Sequence, residues 1–188
     1  YGDDFETMQI RAPQALAMAE TVGDDWAAGR ALNTLGFATV LFDPEAGRAQ
    51  LARSITLGRA SGDDWAVADG WKMTTVAYYA AHDEAGAADA LDQLRIVGEQ
   101  LESEFFLAWY RFMVGYFAMH RGDYAGARTE FDRSLESCRR VGDPSTGGFA
   151  EAFDLGARSQ TGDLGGAAAG LDTLIARARA EGGGFALG

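Results

Sequence analysis

Two stretches of the chain, "VGDDWA" at residues 22 to 27 and "SGDDWA" at 61 to 66, place paired aspartates directly before a tryptophan. Adjacent carboxylates can hold a divalent cation or divide acid and base work between them. His82 and His120 add two imidazoles near successive turns, and "TGDLGGAAAG" at 161 to 170 has the glycine content of a phosphate-binding loop. Each candidate falls short of chemistry. Two histidines and one cysteine, Cys138, make a poor zinc inventory. The glycine-rich stretch lacks the Lys-Ser/Thr ending of a phosphate loop, and neither a nucleophile elbow nor H-E-x-x-H occurs. "RGD" at 121 to 123 reads as a turn. No catalytic residue, metal ligand or cofactor is therefore expected.

The aspartates are better explained by the elements around them. Asp43, Asp83, Asp123 and Asp163 stand 40 residues apart, as do Leu51, Leu91, Phe131 and Leu171. Around them "DPEAGRAQLARSI", "DEAGAADALDQLR", "DYAGARTEFDRSL" and "DLGGAAAGLDTLI" each read as a turn residue followed by an amphipathic helix. In the third copy Tyr124, Ala127, Phe131, Ser134, Leu135 and Cys138 share one helical face, with Arg128, Glu130, Asp132, Arg133 and Glu136 opposite. A second helix precedes each aspartate, over 26–42, 65–81, 104–120 and 146–161. Gly23 and Gly62 then close one helix in the left-handed conformation, and the aspartates after them cap the next. The paired acids are punctuation between helix pairs. The chain divides into a partial repeat over 1–22, four repeats over 23–61, 62–102, 103–141 and 142–181, and the start of a further repeat or a tail over 182–188.

Composition narrows the remaining functions. With 16 basic against 28 acidic residues the formal charge is -12, which repels phosphate backbones, so direct nucleic-acid binding by this segment is not expected. Cys138 has no partner for an internal disulfide, which fits a reducing, cytoplasmic setting, and is expected to be a small buried residue on a helix. "FFLAWYRFMVGYFAM" at 105 to 119 is too short to span a bilayer, carries Arg111 in its middle, and reads as a helix buried on most sides. No membrane segment or signal peptide is expected. Beginning at Tyr1 and ending in "EGGGFALG", the chain is expected to be part of a larger protein. Gly47, Gly86, Gly126 and Gly166 on the second helices are expected to let adjacent helices approach closely.

The third unit, "VGYFAMHRGDYAGARTEFDRSL", resembles the tetratricopeptide repeat through Gly115, Gly122, Asp123, Tyr124, Ala127, Phe131, Ser134 and Leu135. The fourth unit keeps Gly162, Asp163, Ala167 and Leu171. The first two depart more, with Pro44 after Asp43 and His82 at the glycine position, and Gly36 lies one residue closer to Asp43 than Gly115 does to Asp123. Phrases such as "ALAMAETVGDD", "ALNTLGFA" and "RSITLGRASGDDW" look like the sensor arrays of large ATP-binding LuxR-family transcription regulators of the maltose-activator type. The resemblance implies an all-α, right-handed superhelical solenoid of antiparallel helix pairs, each repeat spanning one interval between the evenly spaced aspartates. It also implies that first helices line a concave groove, here Asn33, Phe37, Lys72, Tyr79, Trp109, Phe112, Tyr116, Met119 and Phe149. An aromatic stripe at this spacing equally suits a core. The resemblance further implies a non-catalytic module of a bacterial transcription regulator, taking a peptide, a protein partner or a small apolar effector. A scaffold that self-associates through its repeats is the first rival, and an enzyme of unknown type on a helical solenoid is the second.

Overall fold

The computed structural model describes residues 5–81 and 83–180, and among these only α-helices and short turns occur. The first helix of each pair is α2 (Asp25–Val40), α4 (Asp64–Ala80), α6 (Glu104–His120) or α8 (Pro144–Gln160). The second is α3 (Pro44–Ser61), α5 (Glu84–Gln100), α7 (Tyr124–Val141) or α9 (Leu164–Ala180). α1 (Phe5–Val22) precedes them. Each second helix starts directly after one of the evenly spaced aspartates, and the expected boundaries of the first helices differ little from those found. The helical repeat read from the sequence is present.

The joints explain the period. Asp24, Asp63 and Asp143 each accept a hydrogen bond from a first-turn N–H of the helix that follows, as do Asp43, Asp83, Asp123 and Asp163. One such cap stabilises a helix by about 1 kcal/mol. Before three of the first helices the chain reverses through a left-handed glycine, Gly23, Gly62 or Gly142, with φ near 70°. The next N–H then reaches back to close the preceding helix: Asp24 to Ala19, Asp63 to Gly58 and Asp143 to Cys138 at 2.9 to 3.0 Å. Asp25 and Asp64 sit in the first helical turn, where a carboxylate meets the positive end of the dipole.

One first helix is shorter than the rest: α2 has 16 residues where α4, α6 and α8 have 17. Between α2 and α3 there is no glycine, and the Asp43 N–H bonds to Thr39 rather than one residue further back. The lost residue falls in α2, so Gly36 and Gly115 are equivalent despite their different distances to the aspartate. A Cβ on Gly36 would come within 2.7 Å of Leu51, and one on Gly115 within 2.7 Å of Phe131, residues two repeats apart in the same column.

Contacts divide the chain into two compact units, Tyr1–Phe106 and Leu107–Gly188. In the first, Val40, Leu51 and Ala77 form a buried cluster flanked by Met73 and Val76, and the buried Ser54 hydroxyl donates to the Gly29 carbonyl at 2.8 Å. In the second, Ser134, two repeats after Ser54, donates to the Ala108 carbonyl at the same 2.8 Å. The apolar face of α7 is as expected: Ala127, Phe131, Ser134 and Cys138 are buried, with Asp132, Arg133 and Glu136 exposed. Burial, then the nearby Asp143 charge, pushes the Cys138 thiol up to about 11, so it stays protonated and unreactive at neutral pH.

The glycines of the second helices require a correction. Gly47 does permit close approach, its would-be Cβ meeting the Val40 backbone at 2.9 Å, but Gly86, Gly126 and Gly166 do not share its register. Their equivalent in α3 is Ala46; a Cβ on Gly126 or Gly166 would meet the carboxylate of its own capping aspartate, whereas one on Gly86 would first meet the Tyr78 ring of α4, so Gly86 too lets adjacent helices approach closely. Gly47 instead aligns with the buried Ala87, Ala127 and Ala167.

Glu102 occupies the joint position held elsewhere by Gly62 and Gly142, with φ at 48°. A side chain in this region costs about 1 kcal/mol relative to glycine. Glu102→Gly should therefore raise the stability in urea unfolding by about 1 kcal/mol, and an unchanged midpoint would show the joint to be unstrained. Gly115→Ala should cost about 1–3 kcal/mol, because Phe131 is fully buried and cannot retreat. Gly156→Ala is the control: nothing lies within 4 Å of its would-be Cβ, so stability should hold or rise by up to about 1 kcal/mol.

Candidate functional site

The groove positions expected in the first unit come from α2 and α4. Asn33 is buried on α2 and donates its side-chain N–H to the Asp69 carboxylate on α4. Lys72, one turn beyond Asp69, lies with its ammonium 4.5 Å from the Phe105 ring centre. Arg30, one turn before Asn33, pairs with Asp63 at 3.1 Å and lies over the Trp26 and Trp65 rings at 5.4 and 5.0 Å. Burial pushes the Asp69 carboxyl above its ordinary value, against the opposing pull of Lys72, the Asn33 hydrogen bond and Arg30. The Asn33 side-chain oxygen is buried with no hydrogen-bond partner. Asn33 and Lys72 thus meet around one carboxylate. Phe37 is half-buried on α2, and Tyr79 is exposed near the end of α4.

In the second unit the equivalent positions are rings. Phe112 on α6 packs against Phe149 and Phe153 on α8, with centres 6.0 and 5.5 Å apart, and against Phe131 on α7 at 6.1 Å. Tyr116 meets Phe153 at 5.4 Å, and Trp109 meets Phe112 at 5.4 Å. Phe112 and Tyr116 are buried, whereas Trp109 and Phe149 are half-buried. Phe112, Tyr116 and Phe149 pack helix against helix, and Trp109 packs on Phe112 of its own helix. Met119 differs, lining with His120, Tyr124, Gly156, Ser159 and Gln160 an open cleft of about 390 Å³. Met119 and Ser159 are matching positions on successive first helices, one repeat apart. The His120 ring lies 4.3 Å from that of Tyr116 beneath. His82, the other imidazole near a turn, lies outside the described residues.

Sequence reasoning passed over three features. Trp26, Trp65 and Phe105 each come just after a joint, one repeat after another, and that periodicity was the available signal for their shared role. Phe153 fills the centre of the ring cluster, one turn after Phe149 on the same face. Asp154, buried on α8, accepts from Arg128 at 3.2 Å and Arg158 at 2.7 Å. The Arg158 pair is an i, i+4 spacing visible in the sequence; the Arg128 pair is not.

Chemically, the described residues hold no group of three or more metal-ligating side chains, and no described helix is long and apolar enough to cross a membrane. Compared with protein-family models and with curated proteins, the chain matches none.

Asp69 makes a pH prediction. Its native carboxyl holds the proton more tightly than the ordinary 3.8 of an unfolded chain, so ionisation opposes folding. The penalty is absent below that ordinary value, grows as pH rises through the raised native value, and is constant above it. Asp69→Asn removes the penalty and gives the Asn33 oxygen an N–H donor. Its melting temperature should equal or exceed that of the parent at pH 7, with the advantage shrinking towards pH 4. A variant less stable at pH 7 by the same margin as at pH 4 would show that Asp69 contributes through packing alone.

Proposed function

We propose that the chain is a non-catalytic binding module, a tetratricopeptide-like array whose first helices line the concave face of a right-handed superhelix. Its place is within a larger cytoplasmic bacterial transcription regulator of the ATP-binding LuxR type, where occupancy by a peptide, a protein partner or a small apolar effector controls the parent. The observation that carries this reading is the cleft. Met119 and Ser159 come from matching positions of consecutive first helices, and together they line open space rather than packed interior. The cleft is part apolar, through the Met119 thioether and the Tyr124 ring, and part polar, through His120, Ser159 and Gln160. Such a mixture orients a small amphipathic group without acting on it. The charge of -12 favours a partner that is not nucleic acid.

A second reading, self-association through the end repeats, is favoured by one observation. Leu171 is 45% exposed on α9, whereas its equivalents Leu51, Leu91 and Phe131 are buried, and Leu164 is 68% exposed beside it.

Filling the cleft separates the two. A thermal-shift screen of amphipathic small molecules and short peptides should find ligands that stabilise the parent. Ser159→Trp should abolish that shift while leaving the unliganded melting temperature within a few degrees. Concentration-dependent sedimentation lost on Leu171→Glu, with no ligand shift at all, would favour the self-associating scaffold instead.

A further inference from the structure

The paired-acid motif does more than cap helices. In each copy its first aspartate is the cap, but the second aspartate and the tryptophan are left facing solvent: Asp25 and Asp64 are exposed, Trp26 is 53% exposed and Trp65 is 41% exposed. About half of each indole thus remains open to contact from outside the chain. The two rings belong to one ladder along the N-terminal ends of α2 and α4. It is continued by Phe105 at the start of α6, which stacks on Trp65 with ring centres 6.3 Å apart and planes 15° from parallel. Its chemistry alternates ring and carboxylate.

The ladder already holds cations of its own chain. The Arg30 guanidinium lies over both indoles while bonded to Asp63, and the Lys72 ammonium lies over Phe105. Beyond these contacts both indoles keep exposed surface, and Asp25 and Asp64, each directly before an indole in the chain, are exposed as well. Neither of these two carboxylates has an ion pair among the described residues. We propose that the edge formed by Asp25, Trp26, Asp64 and Trp65 docks a basic, arginine-bearing polypeptide segment, whose guanidinium groups stack on the indoles and pair with the two carboxylates. Arginine suits the edge better than lysine because its flat guanidinium both stacks and donates in a fixed fork. The net charge of -12 attracts such a segment and repels nucleic acid and acidic peptides. Binding at this edge does not depend on the cleft at Met119, which other residues line.

The test uses the intact chain and three short labelled peptides carrying arginine, lysine or glutamate at every third position among glycine and serine. Binding is followed by fluorescence anisotropy at physiological ionic strength, where surface charges are screened beyond about 8 Å. The arginine peptide should bind, the lysine peptide several-fold more weakly, and the glutamate peptide not at all. Trp26→Ala should weaken the arginine peptide by about tenfold, roughly what one cation–π contact with partial desolvation supplies. The double variant Asp25→Asn with Asp64→Asn, which alters only exposed side chains, should weaken it comparably. Circular dichroism confirms that both variants remain folded, and Ser159→Trp should leave binding unchanged. No binding of the arginine peptide, equal binding of arginine and lysine peptides, or binding that survives both ladder variants would each overturn the proposal. So would sedimentation showing that Trp26→Ala abolishes self-association, which would make a second copy the occupant.

Discussion

Everything in this chain depends on how its helix ends are satisfied. A helix leaves N–H groups unpaired at one end and carbonyls at the other, and burying either without a partner costs more than most single contacts return. Here one short joint answers both needs. A left-handed residue lets the next N–H reach back to the preceding helix, and an aspartate caps the following one. Because each joint takes only two or three residues, helices of nearly constant length restart at nearly constant intervals. Side chains a whole number of repeats apart therefore meet the same surroundings, as Ser54 and Ser134 do in bonding the carbonyls of Gly29 and Ala108.

The register leaves the chemistry at each position free to vary. Asn33 on α2 meets Asp69 on α4, and two units later Phe112 on α6 meets Phe149 on α8 at equivalent positions. The ring pair needs no polar partner, and its burial contributes on the order of a few kcal/mol. The polar pair carries a cost: the Asp69 carboxyl is held above its ordinary value by burial, and an Asn33 oxygen is left unpaired. What it adds is specificity of pairing, since a shift of one helix past the other would strand both groups. The ring cluster tolerates such shifts more readily, because aromatic contacts are adjustable in angle while an amide–carboxylate bond is not.

Much of this was legible in the sequence because caps and turns are local. The evenly spaced aspartates, the helix boundaries, the buried face of α7 and the burial of Cys138 all follow from residues within a turn or two of one another. The register of the first repeat was not legible: α2 is one residue shorter than α4, α6 and α8, its joint to α3 carries Leu41 and Phe42 and no glycine, and the would-be Cβ contacts of Gly36 and Gly115 show that they correspond. The glycines of the second helices misled for a related reason. Gly126 and Gly166 face their own capping carboxylate, whereas Gly47 faces α2 and Gly86 the Tyr78 ring of α4, and spacing in the chain does not distinguish them. Asp154 escaped notice because its bond to Arg128 joins α7 to α8, a distance in sequence that carries no periodic signature.

The site shows the same division between local and distant causes. Asn33 and Lys72 were expected on one face, yet what brings them together is Asp69, a carboxylate whose role appears only when α2 lies against α4. Arg30 matters more than any of them to the exposed edge. Its ion pair with Asp63 is half-exposed and is worth no more than about 1 kcal/mol, and each ring contact adds a similar amount. The larger effect is geometric. Bonded to the cap of α4 and seated between the indoles of two helices, the guanidinium limits the rotamers both tryptophans can adopt. The rings are therefore held in place, and the entropy of fixing two large side chains is met during folding.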